Sequence, residues 1–119
     1  MIIGIDFDGT FTMRNEYPSV GEVNEKSVEV IHNMISRGHK IVLNTMRSGI
    51  KLNDAVKCIE GYGIHLYGIN KTPGQNRWTD SPKVYAHVYI DDLAIGIPKL
   101  PSGILDWEKI EQYLINAGF

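Results

Sequence analysis

The sequence predicts an α/β domain in three layers, a central and mostly parallel sheet covered by helices on both faces. Two observations carry this expectation. Short apolar runs alternate with longer segments of helical periodicity along the whole chain, and the first and last of those runs each end in acids, Asp6 and Asp8 after one and Asp91 and Asp92 after the other. Alternation at this spacing implies right-handed crossovers between parallel strands. In such sheets a ligand sits beyond the carboxyl ends of the strands, where the strand order reverses.

The elements follow in order. Ile2 to Ile5 is a buried strand ending in acid, and Asn15 to Gly21 is a polar loop beyond it. Val28, Ile31 and Ile35 recur at helical spacing, with Met34 beside them, and stop at Gly38, a residue suited to the left-handed position after a helix. Ile41-Val42-Leu43 is a second strand ending near Thr45. Leu52, Ala55, Val56 and Ile59 mark a second amphipathic helix, capped by Ser48 and closed by Gly61 or Gly63. His65-Leu66-Tyr67 is a shorter strand and Val88-Tyr89-Ile90 another. Between them Asn70 to Pro82 forms a loop carrying Arg77 and Trp78. Asp106 caps a last helix that buries Trp107, Ile110, Leu114 and Ala117.

Composition bounds the function. The 119 residues make one domain, 1–119, with hydrophobic residues at 43% and charged residues at 22%, proportions that exclude disorder and fibrous repeats. One cysteine forms no internal disulfide and points to a reducing, cytoplasmic setting. No run approaches the roughly 20 apolar residues of a membrane helix. The Met1-Ile2-Ile3-Gly4 start lacks the basic region of a signal peptide, so it is expected to open the fold. A net charge of −2 leaves no footprint for broad nucleic-acid binding.

The acids themselves set the problem. If the strands they follow are neighbours, four carboxylates meet in a small volume. Two like charges about 4 Å apart repel by about 4 kcal/mol at an effective dielectric of 20, against a domain's whole stability of about 5–15 kcal/mol. A hard divalent cation relieves this, and Mg2+ suits a few carboxylates together with a substrate phosphate. With the four set aside, the net charge of −2 becomes +2, so negative charge is concentrated there. Taken alone, Asp8-Gly9 reads as a turn and Asp91-Asp92 as the start of a loop. An EF-hand is disfavoured, because the later ligands lack the spacing and a buried strand precedes the acids.

The conjunction is more specific: DFDGT at Asp6–Thr10 after an apolar strand, IVLNT ending at Thr45, Lys83, and VYIDD ending at Asp92. In this order the motifs resemble those of the haloacid dehalogenase superfamily of phosphatases and phosphotransferases, over about residues 1–97. Tyr17-Pro18 after the first motif and Thr45-Met46-Arg47 at the second make the chain similar to small bacterial and phage hydrolases of that superfamily. The resemblance implies a Rossmann-like core and a Mg2+-dependent phosphomonoesterase. Asp6 would be the nucleophile, forming an aspartyl-phosphate, and Asp8 the general acid and base. Mg2+ would be held by the Asp6 carboxylate, the Asp8 backbone carbonyl and Asp92, with Asp91 behind it. Thr45 and the N–H of Met46 would bind a phosphoryl oxygen, Lys83 would pair with that oxygen and with Asp6, and Arg47 would reach phosphate or substrate. Thr10 would orient the loop.

Neither gap between motifs holds a cap domain, so the site is expected to be open. It would suit a large phosphorylated substrate, or a small metabolite or nucleotide enclosed by a neighbouring subunit of a homo-oligomer. Arg14, Lys71, Arg77 and Trp78 are candidates for recognising it. The alternative is a non-catalytic phosphate-binding or oligomerisation module of the same fold. Other chemistries find no support. Cys58 lies mid-helix, His32, His39, His65 and His87 lack paired metal spacing, and the run from Gly63 to Lys71-Thr72 has two residues too many for a phosphate loop.

Overall fold

Four short strands, β1 (Ile2–Ile5), β2 (Lys40–Leu43), β3 (Gly68–Ile69) and β4 (Val88–Ile90), form one parallel sheet in the order β3-β2-β1-β4, in a computed structural model of residues 1–119. Three helices complete the regular structure: α1 (Glu25–Ser36), α2 (Gly49–Glu60) and α3 (Trp107–Asn116). β1 lies between β2 and β4, so the chain leaves it toward one side and returns on the other. That is the strand-order reversal at which such sheets bind ligands.

Side-chain alternation along the strands divides the core. Ile3, Ile5, Ile41, Leu43 and Ile90 join Met34 of α1, Ile59 of α2 and Leu114 of α3 in one buried cluster. Phe7 and Phe11, just past β1, belong to it, with their rings 5.9 Å apart. Burying each such ring contributes about 2–3 kcal/mol. The opposite face carries Gly4, Val42 and Tyr89. Val42 and Val84 are buried there outside the main cluster, and the Tyr89 hydroxyl donates to the Val84 carbonyl. A Cβ on Gly4 would lie 3.2 Å from the Tyr89 ring, which glycine alone avoids. Both faces are thus covered, as expected of three layers, but unequally. The helices pack on one face, and the 70–87 connection, with a single 3-10 turn at Gln75–Arg77, covers the other.

The helix signals hold closely. Asn24 caps α1 by accepting from the Lys26 N–H at 3.1 Å, and Gly38 follows it at φ +92°. Asp106 caps α3 by accepting from the Lys109 N–H at 3.1 Å. Ser48 precedes α2 without a side-chain cap bond, and Gly63 rather than Gly61 takes the positive φ. Two expectations shift. The third strand is Gly68–Ile69 instead of His65–Tyr67: Tyr67 only enters the sheet, its N–H donating to Ile41 at 2.7 Å. Ala117 is the exposed C-cap of α3, and Phe119 is buried beyond it. No helix is long and apolar enough to cross a membrane.

Candidate active site

The two acidic strand ends meet because their register brings them level. Ile5 pairs with Ile90 across the β1–β4 ladder, and the Asp6 N–H donates to the Ile90 carbonyl at 3.0 Å. Asp6, Asp91 and Asp92 each present a carboxylate oxygen, all within 4.8 Å of one another. Three convergent oxygen donors are the set a hard divalent cation takes, and these are the residues that could hold one. Burial, then the charge of Asp91, then contact with Asp92 push the Asp6 carboxyl from its ordinary value near 4 up to about 8. Without a cation this setting favours the protonated form of Asp6.

The loop after β1 fixes the positions of these acids. Gly9 sits at φ +76°, and a Cβ there would come 2.5 Å from Asp92 Oδ2. Glycine is required twice, for the backbone turn and for the close approach of the carboxylate. Thr10 is fully buried; its hydroxyl lies 3.1 Å from Asp6 Oδ2 and 3.4 Å from Asp92 Oδ1, and accepts the Asp92 N–H at 3.0 Å. It joins the ends of β1 and β4, as an orienting role requires. Behind it the indole N–H of Trp107 donates to the Thr10 carbonyl at 2.9 Å, pinning the loop to α3.

Asp8 points elsewhere. Its carboxylate is gripped by Arg47, with Nε to Oδ2 at 2.8 Å and Nη2 to Oδ1 at 2.7 Å. The remaining Arg47 N–H groups donate to the carbonyls of Ser19, Pro18 and Lys51 at 2.7, 3.3 and 3.2 Å. A guanidinium has five N–H donors, and all are used. Arg47, only 2% exposed and packed over the Phe7 ring at 5.1 Å, therefore has none left for a phosphate. The expectation that it reaches substrate is corrected: it holds Asp8 and ties the 17–19 loop and the start of α2 to it. The Asp8 hydrogen bond in turn raises the Arg47 pKa further. The Asp8 side chain is not in the carboxylate cluster, which leaves its backbone carbonyl as the expected contribution to a metal.

Thr45 and Met46 line the same cavity as Asp6, Asp8, Asp91 and Asp92. Thr45 is fixed by its N–H, which donates to Asn70 Oδ1 at 2.8 Å, and its Oγ1 accepts the Arg47 N–H at 3.2 Å. Its hydroxyl proton remains free to donate, and the Met46 N–H has no acceptor within the protein. Both can serve an oxyanion. Asn15 and Tyr17, from the loop after β1, line the cavity as well.

Lys83 is not among these residues. Its backbone is held in the segment covering the second sheet face, its carbonyl accepting from Gln75 Nε2 at 2.6 Å, and its Nζ lies over the Tyr89 ring at 5.4 Å. It lines a separate depression with Trp78 and Tyr85. The expected pairing of Lys83 with Asp6 is thus corrected, and Arg47 is the one cationic side chain lining the cavity. Arg14, Lys71, Arg77 and Trp78 lie outside it as well; Arg14 donates to Ser102 at 3.4 Å and Trp78 meets Tyr85 edge-on at 5.5 Å. Burial raises the pKa of Cys58, consistent with a packed thiol. Sequence reasoning missed Asn70, whose positive φ of 53° after a strand is a turn signature, and Trp107, which looked like core alone.

The whole fold is similar to that of a conserved protein coded by a locus of Bacteroides thetaiotaomicron, with 29% sequence identity and a TM-score of 0.84 over 100% of this chain and 93% of that one. No protein family and no curated protein matches the chain.

Proposed function

We propose that this chain is a Mg2+-dependent phosphomonoesterase of the haloacid dehalogenase type, working in the cytoplasm on a phosphorylated metabolite, nucleotide or macromolecule. The observation that carries the reading is the convergence of Asp6, Asp91 and Asp92 within 4.8 Å, beside the unpaired Met46 N–H and the Thr45 hydroxyl. Bound at these carboxylates, Mg2+ would supply the positive charge that keeps Asp6 ionised near neutral pH and offsets the charge of the phosphoryl oxygens. Phosphoryl transfer is largely positioning and charge neutralisation.

Asp6 attacks phosphorus in line, forming a bond from its carboxylate oxygen as the ester P–O bond breaks. Thr45 and the Met46 N–H donate to the phosphoryl oxygens and hold them. Asp8 enters this step carrying a proton taken from water in the preceding turnover, at the cost of one of its two Arg47 hydrogen bonds, and delivers it to the departing alcohol oxygen. Water then attacks the aspartyl-phosphate. Asp8, anionic and re-engaged by Arg47, takes the water's proton, and inorganic phosphate leaves.

The grip of Arg47 on both Asp8 oxygens favours a second reading, a domain that binds phosphate without turning it over. A panel of phosphomonoesters assayed for released phosphate with and without Mg2+ separates the two. We expect Mg2+-dependent release that is lost in Asp6→Asn and falls by about a hundredfold or more in Asp8→Asn. Absence of release from any ester by the wild-type protein would favour the binding domain.

A further inference from the structure

The acidic cavity, about 450 Å³ in volume, is lined by half-buried acids and Thr45 and, among its exposed residues, by Asn15 and three apolar side chains. Its apolar lining residues are Tyr17, Met46 and Leu93, exposed at 57%, 100% and 86%. A single exposed apolar side chain is ordinary. Three around one opening, two of them almost free of packing, make an apolar collar. Tyr17 is held in place by its N–H donating to Asn15 Oδ1 at 3.0 Å and by its ring, 5.2 Å from the Arg47 guanidinium. Met46 combines an unpaired N–H with a flexible, polarisable side chain that adapts to aromatic faces. Charge adds a second, independent constraint. Arg47 has no donor to spare and its charge is matched by Asp8, no other cation lines the cavity, and Asp91 and Asp92 would repel a further anionic group. Cavities of about 300–1,000 Å³ hold small ligands, so this one has room for a phosphoryl group and a ring.

We infer that the collar of Tyr17, Met46 and Leu93 selects phosphomonoesters whose leaving group is uncharged and presents an apolar or aromatic face. Substrates with a second phosphate or a carboxylate near the ester, and open-chain polyol phosphates, are disfavoured. The inference rests on the phosphomonoesterase reading of the same site.

Non-hydrolysable ligands test it without reliance on turnover. Dissociation constants are measured by calorimetry in Mg2+ for inorganic phosphate, methylphosphonate, benzylphosphonate and phosphonoacetate. Benzylphosphonate is expected to bind roughly tenfold more tightly than methylphosphonate, and phosphonoacetate more weakly than either. In Leu93→Ser combined with Met46→Ser the benzyl-to-methyl ratio is expected to fall to within about twofold. Both side chains are exposed, so the fold does not depend on them. Equal wild-type affinities for the two phosphonates, or a ratio unmoved by the double variant, would overturn the inference while leaving the phosphatase reading intact. Failure of all four ligands to bind would overturn both. A wild-type dimer in sedimentation that the double variant converts to monomer would assign the collar to a second copy of the chain and also overturn it.

Discussion

At Asp6 two demands oppose one another. The side chain must be buried and beside other acids to share a cation with them, yet that setting holds its proton up to about pH 8. A bound cation reverses the balance, so cation binding should release a proton and tighten as pH rises toward 8. Calorimetric Mg2+ titrations in buffers of differing ionisation enthalpy should show that proton. Arg47 solves a different problem. Its five donors are spent on Asp8 and three carbonyls, so Arg47→Met leaves a carboxylate and several carbonyls unmatched. We expect about 3 kcal/mol lost in urea unfolding, in the range for breaking a buried pair. Lysine cannot reproduce the fork, so Arg47→Lys should recover little of it. None of this was legible in sequence, because the partners lie 39 positions apart and only the folded loops bring them together. Lys83 failed as an expectation for a related reason: order along the chain fixed which strand it precedes, but not which sheet face its segment covers.

Among the elements, the loop between β1 and α1 concentrates the constraints. Gly9→Ala adds a Cβ 2.5 Å from Asp92 Oδ2 at a φ that alanine resists. It should destabilise the protein by about 2 kcal/mol and, by displacing Asp92, raise the Mg2+ concentration needed for half-saturation. Thr10→Val keeps the shape but removes the acceptor of the Asp92 N–H. An unsatisfied buried donor costs about 1–3 kcal/mol, measurable as a lower denaturation midpoint. The Asp-x-Asp-Gly-Thr motif announced this loop only in conjunction with the later motifs, since Asp8-Gly9 alone reads as an ordinary turn. β1 and β4 were equally legible as apolar runs ending in acid. β3 was not: its two residues include Gly68, which carries no strand preference, and the run of Leu66 and Tyr67 before it looks more like a strand than the strand does.

For the whole molecule, the cluster of acids should make stability depend on pH and, if a cation binds as proposed, on cation as well. The folded pKa of Asp6, about 8, lies above the ordinary value of 3.8 that applies when unfolded. Its contribution to stability is therefore fully present below about pH 4 and is lost as pH rises through 8. The slope from this one group is at most about 1.4 kcal/mol per pH unit. Thermal unfolding without divalent cation should occur at a lower temperature at pH 8.5 than at pH 6. Adding Mg2+ should raise the midpoint most at the higher pH, and Asp6→Asn should flatten both trends. The three-layer architecture was legible from the alternation of apolar runs and helical segments. That a loop joins β3 to β4 was legible too, in the polar residues and prolines of 70–82. That this segment covers a sheet face was not, because composition specifies a loop without saying where it lies.

In the proposed mechanism Asp6 receives the phosphoryl group. Intact-mass spectrometry of Asp8→Asn, acid-quenched after mixing with an aryl phosphate and Mg2+, tests it most directly, since that variant should form the aspartyl-phosphate and hydrolyse it slowly. The expected result is an added mass of one phosphoryl group, mapped to Asp6 and missing when Asp6→Asn is combined with Asp8→Asn. An unmodified Asp8→Asn protein, or an adduct that persists without Asp6, would contradict the claim.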